Sequence, residues 1–229
     1  MVAVRLGFDH SVGESTYRLL RGGIIFGKFA PGQKLRLDRL RQEFGASVST
    51  LRELLNRLAS EGLVLAAGQK GFEVAPVSRA NLRELAEMRI VLEHHALDLS
   101  FAAGDLEWEG RVVAAHHKLA RIERALLSNQ AADPTLWKRY DWEFHHSLVS
   151  ACGSAELNAI HADIYDKYLR YQMVLGVFRG RQAADEHAAL LACALERNAG
   201  EAKAILARHV RACIEAIATL HPDGAWQTA

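Results

Sequence analysis

DRLRQEFGASVSTLRELLNRLASEGL, residues 38–63, decides how the first third of the chain is read. Asp38 can cap a helix that Gly45 ends. Ser47 or Ser49 can cap the next one, whose buried stripe is Leu51, Leu54, Leu55 and Leu58 at the three- and four-residue spacing of one helical face. Gly62 stops it. Upstream, STYRLLRGGIIF (residues 15–26) reads as a helix capped by Ser15, with Leu19, Leu20 and Ile24 as its apolar face, and Gly22-Gly23 weaken it. Pro31-Gly32 marks a turn. Downstream, LVLAAGQKGFEVAPV changes from a helical to an alternating period, so two short strands flank a glycine-bearing turn, and Pro76 closes the unit.

Helix, helix, short turn, helix, hairpin is the order of a winged helix-turn-helix. In that arrangement Ser47, Ser49, Thr50 and Arg52, at the exposed start of the third helix, face a major groove of double-stranded DNA. Lys70 at the hairpin tip reaches phosphate or the minor groove. The competing reading is a small structural domain whose exposed helix is merely solvated.

The 229 residues have room for two domains, and charge divides them. Residues 1–77 hold 11 Lys/Arg against 7 Asp/Glu, whereas residues 78–229 hold 17 against 20. Ten of the eleven histidines lie in the second part. A mildly basic front and a histidine-rich, mildly acidic back suit two jobs, with nucleic acid as the partner of the front. No apolar run is long enough to span a membrane, and the first residues lack the apolar stretch of a secretory signal. Cys152, Cys193 and Cys213 are far apart, form no CxxC and sit among apolar residues, as small buried hydrophobes in a reducing compartment do. A cytoplasmic location is the expectation.

Residues 78–221 read as six helices. The first runs from a capping Ser78 to Gly104, the second over 105–128, and the third from a capping Asp133 with Pro134 at its first position. The fourth follows Gly153 to Phe178; the last two cover 185–199 and 200–220. The fold class is therefore mostly α, a winged helix-turn-helix (1–77) followed by an antiparallel α-helical bundle (78–221) and a tail (222–229).

DWEFHH, residues 141–146, places Asp141 and His145 one turn apart on one face of the third of these helices. His187, in the first turn of its helix, and His209, in the middle of the last, are both flanked by apolar residues at helical spacing and point inward. Three imidazoles and a carboxylate from three helices suit a divalent transition metal, and bundles build metal sites this way. The alternative is ordinary core histidines bonded to carbonyls. His94-His95 and His116-His117 show that histidine pairs are common in this chain, and His146 points about 100° from His145, so both cannot serve one site.

With these residues in hand, the chain resembles a known family. PGQKLRLDRLRQEFGASVSTLRELLNRLASEGLV and KGFEVAPVS are similar to the winged helix of GntR-family transcription regulators, and the second part resembles the FCD ligand-binding domain of the FadR-like branch. The matching positions are Arg89 with Leu92-Glu93, Asp141 with Phe144-His145, Glu186-His187, and His209. The resemblance implies a metal (Zn, Mn, Ni or Fe) held by Asp141, His145, His187 and His209, with open positions that meet a small carboxylate effector. Arg89 would grip that effector by charge-assisted hydrogen bonds, and Arg170 would face the same pocket. The competing role for Arg89 is a salt bridge to Glu93 on its own helix. The recognition helix departs from the family pattern Val-Ser-Arg-Thr-Pro-Val-Arg-Glu: it reads Ala46-Ser47-Val48-Ser49-Thr50-Leu51-Arg52-Glu53. Val48 replaces an arginine that often reads guanine, so the operator does not carry over from relatives; Arg36 or Arg39 can compensate. GDLEWEGRVVAAHHKL is similar to members that answer to five-carbon dicarboxylates such as glutarate or 2-hydroxyglutarate. The expectation is a homodimeric, metal-containing, ligand-responsive repressor. The rival reading is a metal-dependent enzyme on a helical-bundle scaffold, with Glu143 or a spare histidine as base.

Overall fold

The computed structural model describes residues 12–66, 68, 71–128, 130 and 133–221. Lys70 and the tail over 222–229 lie outside them. The chain divides between Val77 and Ser78 into two compact units.

The first unit runs α1 (Val12–Ile25), β1 (Lys34–Leu35), α2 (Leu37–Phe44), α3 (Val48–Ser60), β2 (Val64–Ala66), β3 (Phe72–Val74). The strands form an antiparallel sheet of order β1-β3-β2, with Val64 opposite Val74 and Lys34 opposite Glu73. Leu20, Ile24, Leu40, Leu51, Leu55, Leu58 and Val74 form its core. This is a winged helix, with β1 added at the far edge of the hairpin; two residues are too short a strand to leave a periodic signal.

Several boundaries differ from the sequence-based expectation, each for a local reason. α1 starts at Val12, so Ser15 lies within its first turn and caps nothing; Glu14 supplies the acid that suits a helix N-terminus. Leu19 faces solvent at 61% exposure, because it sits about 100° round the helix from the buried Leu20. Gly22 and Gly23 stay helical, and the ring of Phe29 occupies the space of a side chain at Gly23: a Cβ there would lie 2.7 Å from it. Asp38 is inside the first turn of α2, whose cap position is Arg36 without a side-chain bond. Ser47, not Ser49, caps α3: its Oγ accepts from the Thr50 amide at 3.1 Å.

The second unit is α4 (Arg79–Ala103), α5 (Leu106–Leu127), α6 (Pro134–Val149), α7 (Ala155–Leu175), α8 (Arg181–Leu195) and α9 (Ala199–Leu220). Side chains of Ser78, Asp105, Asp133, Ser154 and Asn198 cap α4, α5, α6, α7 and α9. Helix α4 packs on α6, α7 and α9, and α5 packs on α6 and α8. Helix α7 ends at Leu175 rather than Phe178, because Gly176 turns left-handed (φ 65°). Helix α8 begins four residues before Asp185, so His187 sits in its second turn rather than its first. The three cysteines are buried and free. Among the described residues no helix is long and apolar enough to cross a membrane.

Candidate nucleic-acid interface and metal centre

The exposed start of α3 and the neighbouring α2 carry cations without partners. Arg36, Arg39 and Arg52 are exposed, and no hydrogen bond or ion pair engages their guanidinium groups among the described residues; Lys34 and Arg41, which sequence reasoning passed over, share that state. Arg18, Arg21 and Arg57 are engaged. Arg57 bonds Glu14 at 3.2 Å and lies over the Tyr17 ring, and Arg21 bonds Glu61 at 2.9 Å. Ser47 and Thr50 are tied into the cap, with their hydroxyls 2.9 Å apart, and Ser49 lies 2.8 Å from Ser47. Their first role is to shape the helix end. Val48, 39% exposed and one turn before Arg52, presents methyl groups where the family pattern has a guanidinium.

In the second unit the polar side chains turn inward. Helix α6 aims Asp141 and His145 at the bundle interior, α8 contributes His187 and α9 contributes His209, all buried. Ligand atoms of the three histidines lie within 4.8 Å of one another. Asp141 Oδ1 is 3.4 Å from His187 Nε2. Asp141 Oδ2 accepts from Tyr165 Oη at 2.9 Å and from Lys138 Nζ at 3.3 Å. The structure thus brings the four predicted residues together from three helices.

Two of the three imidazoles have an acid in bonding distance. His187 Nδ1 lies 2.8 Å from Glu123 Oε1, and His209 Nδ1 lies 2.8 Å from Glu186 Oε2. Arg179 Nη2 donates to the same Glu186 oxygen at 2.7 Å. Glu93 Oε2 is 3.7 Å from His145 Nδ1, beyond hydrogen-bond reach, while Glu93 Oε1 meets His161 Nε2 at 3.1 Å. Both nitrogens of His145 and Nε2 of His187 are buried with no partner among the described residues. Orphaned buried nitrogens of this kind are costly unless something binds them.

Electrostatics keep these groups in ligand form. Burial, reinforced by the Arg89 charge, pushes His145 down to about 4. Burial also holds His209 well below its ordinary value, so both rings are neutral with a lone pair to offer. Burial acts to raise the Asp141 carboxyl, but the Lys138 ammonium beside it holds it well below the usual range. Neutral imidazoles, a carboxylate and acids on the far ring nitrogens make a donor set that fits a divalent transition metal. The adjoining cavity, bounded by Lys138, Asp141, Gln172, Arg179, His187 and His209, has a volume of about 10 Å³, enough for one water-sized occupant.

The expected effector residues fare differently. Arg89 is buried and already bonded to Glu93 at 2.5 Å, as the competing reading had it. It is sandwiched near the Tyr165 and Tyr168 rings, and its Nη2 has no partner among the described residues. Arg170 does not join the cluster: it lies roughly 140° round α7 from Tyr165, and the neighbour that influences its charge is Tyr171. Glu143 is exposed and bonded to Lys118 at 2.5 Å, and His146 stacks on Trp142, so neither is a base for the site. Sequence reasoning missed Lys138, Tyr165, Glu123 and Arg179. Lys138 was legible as the residue one turn before Asp141; Arg179, in the link between α7 and α8, had no periodicity to betray it.

The comparisons with known proteins identify the family. Residues 13–74 match the model for bacterial regulatory proteins of the gntR family, and residues 84–212 match the FCD domain. The chain is 33% identical over 206 residues to the HTH-type transcriptional regulator BphR of Paraburkholderia xenovorans (strain LB400), covering 89% of this chain and 84% of that protein. It is 32% identical over 200 residues to the HTH-type transcriptional repressor GlaR of Escherichia coli (strain K12), covering 85% and 90%. Among solved structures, E. coli McbR/YncC superposes with a TM-score of 0.78 at 18% identity over 91% of this chain and 98% of its own. That similarity establishes the fold. A winged helix joined to an FCD bundle defines a DNA-binding transcription regulator. The chain belongs to the GntR family, in its FadR-like, FCD-bearing branch, and its relatives are regulators rather than enzymes.

Proposed function

We propose that this regulator is a homodimeric repressor that holds a divalent transition metal in its second unit and releases its operator when a small carboxylate reaches that metal. The observation that carries the reading is the convergence of His145, His187 and His209, with both nitrogens of His145 and Nε2 of His187 buried and without a hydrogen-bond partner among the described residues. Asp141 completes the set, and Glu123 and Glu186 orient two of the rings.

Charge supports a carboxylate as the effector. Around the cluster stand four acids, Glu93, Glu123, Asp141 and Glu186, against three cations, Arg89, Lys138 and Arg179. With neutral imidazoles the surplus is one negative charge. A divalent ion reverses it to one positive charge, which a single carboxylate neutralises. Lys138 and Arg179 border the cavity, and Arg89 has a spare guanidinium nitrogen nearby on α4. Repression follows the description of GlaR. A homodimer follows from the winged helix, because two recognition helices match the two half-sites of a palindrome.

Metal analysis and DNA binding test this directly. Purified protein should carry about one divalent ion per chain, as one ligand cluster requires. Chelation should lower its unfolding temperature, because an ion bound to the folded state alone stabilises it, by ~2.7 kcal/mol at a hundredfold excess over Kd. Metal-loaded protein should bind its own promoter region far better than random duplex, and short dicarboxylates or hydroxy acids should weaken that binding. Metal content unchanged in His209→Ala defeats the ligand assignment. Promoter binding no tighter than random binding defeats the regulator reading.

A further inference from the structure

Glu123 is the buried acid whose presence the ligand set alone does not explain. It stands on α5 within ARIERALL, a stretch rich in charge, yet it is 1% exposed. Every other acid at the cluster has a cation against it: Arg89 for Glu93, Lys138 for Asp141, Arg179 for Glu186. Glu123 has no Lys or Arg partner among the described residues, and the contact it makes is to His187 Nδ1 at 2.8 Å. A carboxylate so far from water is tolerated only beside compensating positive charge. A neutral ring offers an N–H dipole; a ring bound to a cation through its other nitrogen offers much more.

We infer that Glu123 is a positioning residue of the metal centre: it accepts a hydrogen bond from His187 Nδ1–H, turns the ring so that Nε2 faces Asp141 and the other histidines, and draws the charge that makes its own burial tolerable from the ion on the far side of the ring. The geometry carries this. His187 Nε2 is buried without a partner, 3.4 Å from Asp141 Oδ1, while its Nδ1 is engaged. His145, by contrast, has its nearest acid out of bonding distance, so His187, like His209 against Glu186, arrives pre-oriented. The acid and the ion are then linked: each binds the ring better when the other is present.

This rests on the metal reading above, and its test separates the two. Full-length protein and its Glu123→Gln variant, which keeps shape and acceptor but loses charge, are titrated with zinc against a competing chromophoric chelator. The expected result is a ~10–100-fold weaker zinc affinity for the variant. The chelator-stripped variant should unfold no earlier than the stripped parent, since it has lost an uncompensated charge, while its stabilisation by zinc shrinks. A merely structural Glu123 gives the opposite: earlier unfolding without metal and unchanged zinc affinity, which overturns the inference. A parent that binds no zinc, manganese or nickel overturns the metal reading and this one with it. A parent that binds tightly and a variant that matches it overturn this one alone. Should the variant not fold, nitrogen NMR of the cadmium-loaded parent decides: coupling of the ion to His187 Nε2 with a protonated Nδ1 supports the role, and coupling to Nδ1 overturns it.

Discussion

The two units of this chain handle the same ion types in opposite ways. In the winged helix, cations near the recognition helix are exposed and free, while the arginines farther along α1 and α3 are spent on Glu14 and Glu61. Around the histidine cluster of the FCD bundle the cations lie inside, Arg89 and Lys138 buried and Arg179 nearly so, and each is matched to an acid. Under the proposed function the difference follows from the partner. A polyanion as large as DNA must be met at a surface, where unpaired guanidinium groups displace its counterions. A single ion and a small acid must be met where water is scarce and charges act strongly.

The largest expected departure lies inside. Arg89→Ala leaves Glu93 buried without its cation and should cost about 3–5 kcal/mol in denaturant unfolding. Replacing both, Arg89→Met with Glu93→Leu, should lose far less; equal losses would mean that the charges there are not paired in the sense argued. A smaller effect belongs to the surface. Arg52→Ala should remove ~1–3 kcal/mol of discrimination at one operator position in competitive binding, with folding unchanged. The smallest change separates free from engaged arginines within the one unit. Arg39→Ala should reduce the slope of log affinity against log salt by about 0.9. Arg57→Ala should leave that slope alone and lower stability by less than about 1 kcal/mol, because it loses the Glu14 pair and the Tyr17 contact instead. Matching slopes for the two would erase the distinction between them.

Much of this was legible in the chain itself. The leucine stripe of α3, the switch to alternation after Gly62, and the Asp133-Pro134 start of α6 are local signals with local causes. Asp141 with His145 is a one-turn pair on one face, and His187 and His209 entered through their apolar flanks and the family pattern. What escaped was whatever depends on distant partners. Glu123 sits in a run that any composition rule would leave in water, and only packing on α6 and α8 buries it. Leu19 and Leu20 are neighbours of the same type, yet a rotation of about 100° sends one out and one in. Arg170 entered only through the family resemblance; it lies roughly 140° round α7 from Tyr165, which bonds Asp141.

The cavity beside the histidines bears on timing. At about 10 Å³ it admits a body no larger than water, so the carboxylate of the proposed function enters only once the lining side chains have moved. Its capture is then paced by an opening step within the protein, the observed rate levels off as metabolite becomes abundant, and apparent affinity is reduced by the small fraction of molecules open at any instant.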